Sequence, residues 1–486
     1  MSRYALLIDM DRCLGCGACV LACQEEWALP NGVARNWVRP LPPVAGHGPP
    51  VFTHDVGQCQ HCARPSCLRA CPTGATFRDR QGRVRVDPHT CIGCGYCVTA
   101  CPFDARTLHH TRGVVEKCDF CAPRVDAGLE PACVATCPAG ARLFGDLDER
   151  GGALARAFGK RPVRRRETRQ VATAPQVYYT GRAAALDRIA AAAPPDPRRL
   201  HPPLPGRVLR SGVRPAFLGT LGAAVLGAGT AVLAQAARAP EREPDLARAG
   251  APTLHRRGYA AILLHWGNAL AWLLLALTGL ALLGHSHYRV LPAVLYEPTV
   301  RLFGGHAALL RFHIVVGVIW GGLLVLHGIV GFRTLLLPFL RSLRLRPGDG
   351  AWLPARVGNL FSRAPRPLPP QGRYNAGQKL FGLAVAVSTV LLLLTGPVLA
   401  FLPGSGALIQ WAIPLHFAAA ALVIVGLVLH ITMALLLAEE RPALRSMVSG
   451  RIAEAFARDH HRRWWERHPE RPRPRPPSPE PPERVS

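Results

Sequence analysis

An α+β cysteine-rich module followed by an all-α bundle of five apolar helices is the architecture this 486-residue sequence predicts. Three observations lead there. All sixteen cysteines lie in the first part of the chain, in four groups of four. The second half has no cysteine and carries five long runs without charge. Between them, roughly at 150–213, lies a Pro/Arg/Ala-rich stretch with neither pattern.

The length points to more than one domain. The composition divides the chain into a cysteine module at 1–185, a Pro/Arg-rich linker at 186–213 and an anchor helix at 214–237. A linker at 238–257, a helical domain at 258–440 and a basic, Pro-rich tail at 441–486 follow. The formal net charge of +27 raises nucleic acid as a partner. The arginines cluster beside the apolar runs, as in the basic inner loops of membrane proteins, so no nucleic acid is expected. The opening MSRYALLIDMDRCLGCG has no apolar core or cleavage site of a secretory signal.

Group one is CLGCGACVLAC, with Cys13, Cys16, Cys19 and Cys23. Group two is CQHCARPSCLRACP, with Cys59, Cys62, Cys67 and Cys71. Group three is CIGCGYCVTACP, with Cys91, Cys94, Cys97 and Cys101. Group four is CDFCAPRVDAGLEPACVATCP, with Cys118, Cys121, Cys133 and Cys137. The spacing C-x2-C-x2-C-x3-C-P is the signature of [4Fe–4S] clusters: three close thiolates wrap one cubane and the fourth reaches a neighbouring one. Group three matches in full, group one has Gln24 in place of the proline, and groups two and four carry insertions before the third cysteine. Zinc ribbons do not need the fourth cysteine, and disulfide frameworks do not need the repeat.

Between groups two and three, ATFRDRQGRVRVD reads as a hairpin turning at Gln81–Gly82, so these groups form one two-cluster unit. Groups one and four, beside the strand-like YALLIDM and ARLFGDL, close as a second unit around it. Three cysteines of each group plus the last of its partner then predict four clusters. Their ligands are Cys13/Cys16/Cys19/Cys137, Cys23/Cys118/Cys121/Cys133, Cys59/Cys62/Cys67/Cys101 and Cys71/Cys91/Cys94/Cys97. The module is thus expected to be ferredoxin-like, with two pseudo-repeated two-cluster units.

The apolar runs 215–237, 258–284, 312–332, 380–402 and 413–438 meet the ~20 residues needed to span a bilayer. The last two share one uncharged run split by PGSG at 403–406. Five spans put the two ends on opposite sides. Arg238, Arg242, Arg248, Arg256, Arg257 and the basic residues from Arg333 to Lys379 outnumber those on the other side, Arg198 to Arg214, Arg289, Arg301 and Arg311. The tail and long loops are therefore expected in the cytoplasm and the cysteine module on the outer face of a bacterial-type inner membrane.

The histidines bear on what the spans hold. An unpartnered buried polar group costs roughly 2–7 kcal/mol, and an ionisable residue inside a span is a functional candidate. LHFAAAALVIVGLVLH sets His416 and His430 fourteen residues apart. On a helix that is about 21 Å and within about 40° of one face, one histidine per leaflet, which suits two stacked bis-histidine haems. By depth His416 pairs with His313, ahead of His306; for His430, depth leaves His265 and His327 in competition.

Two resemblances extend this reading. With its four cysteine groups and APQVYYTG at 174–181, the stretch 1–185 resembles the four-cluster electron-transfer (beta) subunits of molybdenum or tungsten oxidoreductases such as formate dehydrogenase, dimethyl sulfoxide reductase and nitrate reductase. That family uses the same nested pairing. The resemblance implies that the group one/four unit faces a catalytic molybdopterin subunit and that Cys71/Cys91/Cys94/Cys97 lie nearest the membrane. It also implies export alongside a partner bearing a twin-arginine signal.

Through LLHWGNALAWLLLALTGLAL, RFHIVVGV, YNAGQK, LHxxxA…VLHI and RSMVSGRIAEAFARDHHRRWW, the stretch 255–468 resembles the cytochrome b (gamma) subunit of membrane formate dehydrogenase. This implies an anchor helix followed by a four-helix dihaem cytochrome b, with one b haem on His313 and His416 and the other on His265 and His430. It also implies a quinone, menaquinone or ubiquinone, bound beside the inner haem near Asn375 and Gln378. On chemistry alone YNAGQK reads equally as a polar helix start.

The implied function is electron transfer between a catalytic subunit, formate-type first, and the quinone pool. The sequence shows no nucleotide loop, molybdopterin motif or nucleophile–base set of its own. The alternatives are a stand-alone quinone oxidoreductase fed by a soluble carrier, a subunit of a hydrogenase or a thiosulfate or other sulfur-compound reductase, and a non-redox zinc scaffold. Substrate, electron direction and any higher oligomer are left open.

Overall fold

A computed structural model describes residues 3–41, 53–158, 161–192, 196–236, 252–284, 286–362, 366–437 and 440–470. Most of the linker 238–257 and the end of the basic tail lie outside the described residues. The chain forms two compact units. One comprises 1–215, 275–316 and 393–417; the other comprises 216–274, 317–392 and 418–486.

In the first unit the strands are β1 (Tyr4–Asp9), β2 (Asn36–Pro40), β3 (His54–Gln58), β4 (Thr76–Arg78), β5 (Val84–Val86), β6 (Thr107–His109), β7 (Val114–Glu116), β8 (Arg142–Asp146), β9 (Val163–Arg165) and β10 (Val177–Thr180). β1 sits inside a sheet of order β8-β1-β10-β9. Its run Ala5, Leu6, Leu7 and Ile8 is buried on both faces, which explains why it reads as continuous rather than alternating. Leu6 and Ile8 pack with Cys19, Phe120, Cys133 and Tyr179; Ala5 and Leu7 pack on Leu154. YALLIDM and ARLFGDL pair antiparallel, Leu6 opposite Phe144. On the other side of β1 the VYYT of β10 runs parallel, Leu6 opposite Val177, a pairing that local pattern does not reveal.

The hairpin between groups two and three is β4–β5. Its turn closes on Asp79, whose Oδ1 accepts from Gln81 N at 3.1 Å and Arg83 N at 2.8 Å, with Gly82 at φ +80. The hairpin β6–β7 follows group three, and β2 pairs with β3; neither stood out in the sequence.

The long helices are α1 (Leu204–Gln235), α2 (Tyr259–Leu282), α3 (His306–Val330), α4 (Asp349–Phe361), α5 (Ala376–Phe401) and α6 (Ala407–Ile431). All but α4 are long and apolar enough to cross a membrane. Large apolar side chains on them stay exposed, Ile329 by 72% and Leu226 by 71%, a surface suited to lipid. Four of these five helices, all but α2, begin earlier than hydropathy suggests. α1 is helical from Leu204 rather than 214, inside the stretch expected as linker, because Pro203 and Pro205 sit at its start, where proline is tolerated. A further helix, Ala183–Ala192, precedes it.

In the second unit, β11 (Thr253–His255) and β12 (Arg451–Ala453) pair antiparallel. They seat Leu254 and Ile452 against Phe456 and Ala457. Arg256 Nη2 donates to His461 Nε2 at 3.1 Å, and His461 Nδ1 donates to Gly372 O at 2.9 Å. α4 buries Asp349, Trp352, Arg356 and Leu360, a helical stripe.

Candidate metal centres

Each cysteine group opens with a C-x-x-C turn whose third residue has positive φ: Gly15 at +71, His61 at +43, Gly93 at +63 and Phe120 at +59. This left-handed step curls the chain around its thiols. Glycine adopts it freely. The two non-glycine residues are locked by stacking on each other, ring centroids 3.5 Å apart at 14°.

The sixteen thiols gather as four neighbourhoods. Cys13, Cys16, Cys19 and Cys137 line one cavity, and Cys23, Cys118, Cys121 and Cys133 line another. Cys62 lies beside Cys59, Cys67 and Cys101, and Cys94 beside Cys71, Cys91 and Cys97. Adjacent neighbourhoods share packed clusters through Cys19 and Cys133, Cys118 and Cys59, and Cys97 and Cys67. They therefore form a row in the order just given. Burial pushes the Cys23 and Cys97 thiols up to about 12, and Cys101 and Cys133 to about 11. Such thiols become thiolates when a metal displaces the proton, so four converging thiols per neighbourhood fit an iron–sulfur cubane.

The two ends of the row differ. At the first, Cys16 is exposed and its neighbour Leu14 is 68% exposed. At the last, the Cys94 loop meets the start of α6. Tyr96 Oη donates to Gln410 O at 2.7 Å, Gln410 Nε2 donates to Cys94 O at 3.3 Å, and Tyr288 Oη donates to Ala70 O at 3.5 Å. Cys94, Tyr96 and Ala70 share a core with Ile409 and Ile413, and Phe417 packs against it. Gln410 and His416 are six residues apart on α6, about 9 Å of helix.

In the first unit His313 and His416 are electrostatic neighbours. His313 Nδ1 donates to Thr278 Oγ1 at 2.7 Å, and Thr278 in turn donates to Leu275 O. Thr395 Oγ1 lies 2.9 Å from His416 Nδ1. With Nδ1 engaged, each Nε2 is left to face a metal. The residues after both threonines are glycines, and a Cβ there would come within 3.2 Å of the His313 ring and 3.7 Å of the His416 ring. His306 stands at the first turn of α3.

In the second unit the His265 and His430 ring centroids lie 6.4 Å apart. Two metal–imidazole bonds of ~2.0 Å plus two ring radii of about 1 Å span roughly that distance, so the pair fits one iron between the rings. Phe381 stacks on His430 at 5.1 Å. The His327 ring leans over Gly331 of its own chain turn, and among the described residues no ring contact joins it to His430.

Asn375 and Gln378 form a reciprocal cap at the start of α5. Asn375 Oδ1 accepts from Gln378 N at 2.9 Å, and Gln378 Oε1 accepts from Asn375 N at 3.2 Å, a capping box. Their amide oxygens are thus committed to the helix, and what they can offer a ligand is their NH2 groups. Beside them Lys379 Nζ and Asp349 Oδ2 form a buried ion pair at 2.7 Å, 3% and 5% exposed.

Sequence reasoning missed four residues at these sites. Arg106 and Arg142 reach the cysteine sulfurs, with Arg106 Nη2 donating to Cys67 Sγ at 3.1 Å and Arg142 Nη1 lying 3.7 Å from Cys133 Sγ. The repeat CPFDAR and CPAGAR, with arginine five residues after a group's last cysteine, was the available signal. Thr278 and Thr395 were signalled by LTG, which occurs in both α2 and α5.

Comparison with known proteins finds 4Fe-4S domains in the cysteine half and a cytochrome b domain in the helical half. Residues 12–75 and 52–147 each match a family described as a 4Fe-4S dicluster domain, and residues 256–450 match one described as prokaryotic cytochrome b561. One subunit of the tetrathionate reductase of Salmonella typhimurium is 40% identical over 182 residues, 37% of this chain and 72% of that protein. The thiosulfate reductase electron transfer protein PhsB of Salmonella typhi is 44% identical over 168 residues, 34% of this chain and 86% of that protein. NrfC of Escherichia coli K12 is 38% identical over 178 residues, 36% of this chain and 79% of that protein. With five apolar helices behind its cysteine module, the chain is an integral membrane protein, and it belongs to the family of 4Fe-4S dicluster electron-transfer subunits that includes these reductase proteins, joined here to a cytochrome b561 domain.

Proposed function

We propose that this chain carries electrons between a catalytic molybdopterin subunit and the quinone pool, through four [4Fe–4S] clusters and two b haems. The observation that carries the reading is the contact of the Cys94 loop with Gln410 on the helix that bears His416. Electrons pass between buried centres through packed protein, and here a cysteine neighbourhood shares a packed core with Ile409, Ile413 and Phe417 of the helix that carries His416. The exposed Cys16 end suits docking of the catalytic subunit, and the Arg-rich inner loops favour a cytoplasmic tail. Quinone is bound beside the His265/His430 haem, with the amide NH2 groups of Asn375 and Gln378 as donors.

Two partners have support. The relatives named for tetrathionate and thiosulfate reductase favour a sulfur-oxyanion reductase, in which quinol is the electron source. The resemblance of the cytochrome half favours a formate dehydrogenase. In membranes holding the complex, quinol should reduce the b haems within the turnover time, and thiosulfate or tetrathionate should then reoxidise them. Reduction by formate instead favours the second partner. Haems that respond to neither quinol nor quinone end the quinone reading.

The Thr278 contact supports a further test. Thr278→Val removes the acceptor at His313 Nδ1. Losing such an outer partner typically weakens metal binding roughly 10–100-fold. The outer haem should be lost on detergent dilution while the inner haem absorbance stays; equal retention of both discounts the role of Thr278.

A further inference from the structure

Among the described residues, five arginines of the cysteine module are buried: Arg35, Arg83, Arg106, Arg142 and Arg166. Three hold a carboxylate, Arg35 with Glu116, Arg83 with Asp79 and Arg166 with Asp55. A buried cation without a counter-charge is strongly disfavoured, so these pairings are expected. Arg106 and Arg142, 4% and 3% exposed, have no Asp or Glu partner among the described residues. Arg106 donates to Thr76 Oγ1 at 3.1 Å and to Cys67 Sγ at 3.1 Å. Arg142 donates to Gln58 Oε1 at 2.7 Å, and its Nη1 lies 3.7 Å from Cys133 Sγ. The acidic groups around them are cysteine thiols, Cys67, Cys97, Cys59 and Cys101 for Arg106, and Cys133, Cys19 and Cys118 together with the Tyr179 phenol for Arg142.

The placement repeats. Each arginine lies five residues after the last cysteine of its group, in CPFDAR and CPAGAR. Each stands where two neighbourhoods of the row meet, closest to the inner of the two. A cubane held by four thiolates is a net anion and gains a further negative charge on reduction, and nearby charge and hydrogen bonds to sulfur set its potential. A fixed buried cation therefore favours the reduced cluster, and screening by salt is weak at such depth.

We propose that Arg106 and Arg142 are the potential-setting residues of the two cluster pairs. Arg106 raises the reduction potential of the Cys59/Cys62/Cys67/Cys101 cluster and Arg142 that of the Cys23/Cys118/Cys121/Cys133 cluster. The two middle clusters of the row become the resting places of an electron. The step is a single-electron transfer: the neighbouring cluster is oxidised by one electron, the middle cluster is reduced by one, and no bond or proton moves. This rests on the cluster assignment proposed above.

The test is a potentiometric titration of the full chain in its membrane complex, followed by electron paramagnetic resonance. Cys67→Ser and Cys133→Ser first identify the two signals. Arg106→Gln should lower the reduction equilibrium of the Cys67 cluster at least tenfold, about 59 mV for one electron, with iron content unchanged. Arg106→Lys, which keeps the charge, should stay near the native value. Arg142→Gln and Arg142→Lys should act likewise on the Cys133 cluster. Cluster loss in the Gln variant with retention at native potential in the Lys variant also supports the need for charge. An unmoved potential with full iron, an equal fall in Gln and Lys variants, or cluster loss in both overturns the proposal. If Cys67→Ser and Cys133→Ser alter no iron–sulfur signal, the cluster assignment fails instead.

Discussion

Replacing His265 with alanine is expected to remove one of the two proposed haems and leave the other. Its ring is the imidazole that stands opposite His430, at 6.4 Å between centroids. A b haem without one of its two axial histidines loses the ligation that holds it. The His313/His416 site draws on other residues, Thr278 and Thr395, and should keep its spectrum. Haem content per chain should fall by about half, and quinol should no longer reduce the remaining haem. His327→Ala should leave both haems in place. Two haems retained in His265→Ala, with one lost in His327→Ala, reverses the assignment of His430's partner.

Replacing Lys379 with methionine is expected to destabilise the membrane domain more than most single changes. Lys379 and Asp349 are both almost fully buried and 2.7 Å apart. Removing one partner of a buried pair leaves an uncompensated charge, at a cost of about 3–5 kcal/mol. The double variant Lys379→Met/Asp349→Leu should recover most of that loss, because two apolar side chains need no counter-charge. The pair also predicts a pH dependence. Burial raises the Asp349 carboxyl, but the hydrogen bonds from Lys379 and Arg346 N, with the charges of Lys379 and Arg463, hold it below its ordinary value. A carboxyl with a depressed folded-state value contributes stability above the ordinary Asp value of about 4, and that contribution is lost as pH falls through the depressed value. Thermal unfolding followed by haem absorbance should show this acid-side loss in the native chain and not in Asp349→Asn. A Lys379→Met variant that melts like the native chain shows that the pair contributes nothing.

Several features at these sites are legible only once the chain is folded. Asn375 and Gln378 read equally as ligand donors or as a helix start, and the reciprocal cap engages both of their oxygens. α4 carries its stripe of Asp349, Trp352, Arg356 and Leu360 in a segment whose charge obscures it. β10 inserts in parallel beside β1 from 171 residues along the chain, Leu6 to Val177. Arg106 and Arg142 look like any surface arginine until the fold shows that, among the described residues, no carboxylate accompanies them as one accompanies Arg35, Arg83 and Arg166.

By itself the sequence determined the 4Fe-4S module and the apolar helices behind it. The grouping of cysteines, the C-x-x-C turns, the five apolar runs and the histidines inside them are set by spacing along one segment, and covalent geometry and helical rise translate spacing directly into position. The tertiary structure alone decided what meets across segments. It put the cysteine neighbourhoods in a row, brought His265 rather than His327 into ring contact with His430, and set the Cys94 loop on Gln410 more than three hundred residues away. Such meetings depend on which buried surfaces fill one another and on where each polar group finds a partner, and neither is written in any local period.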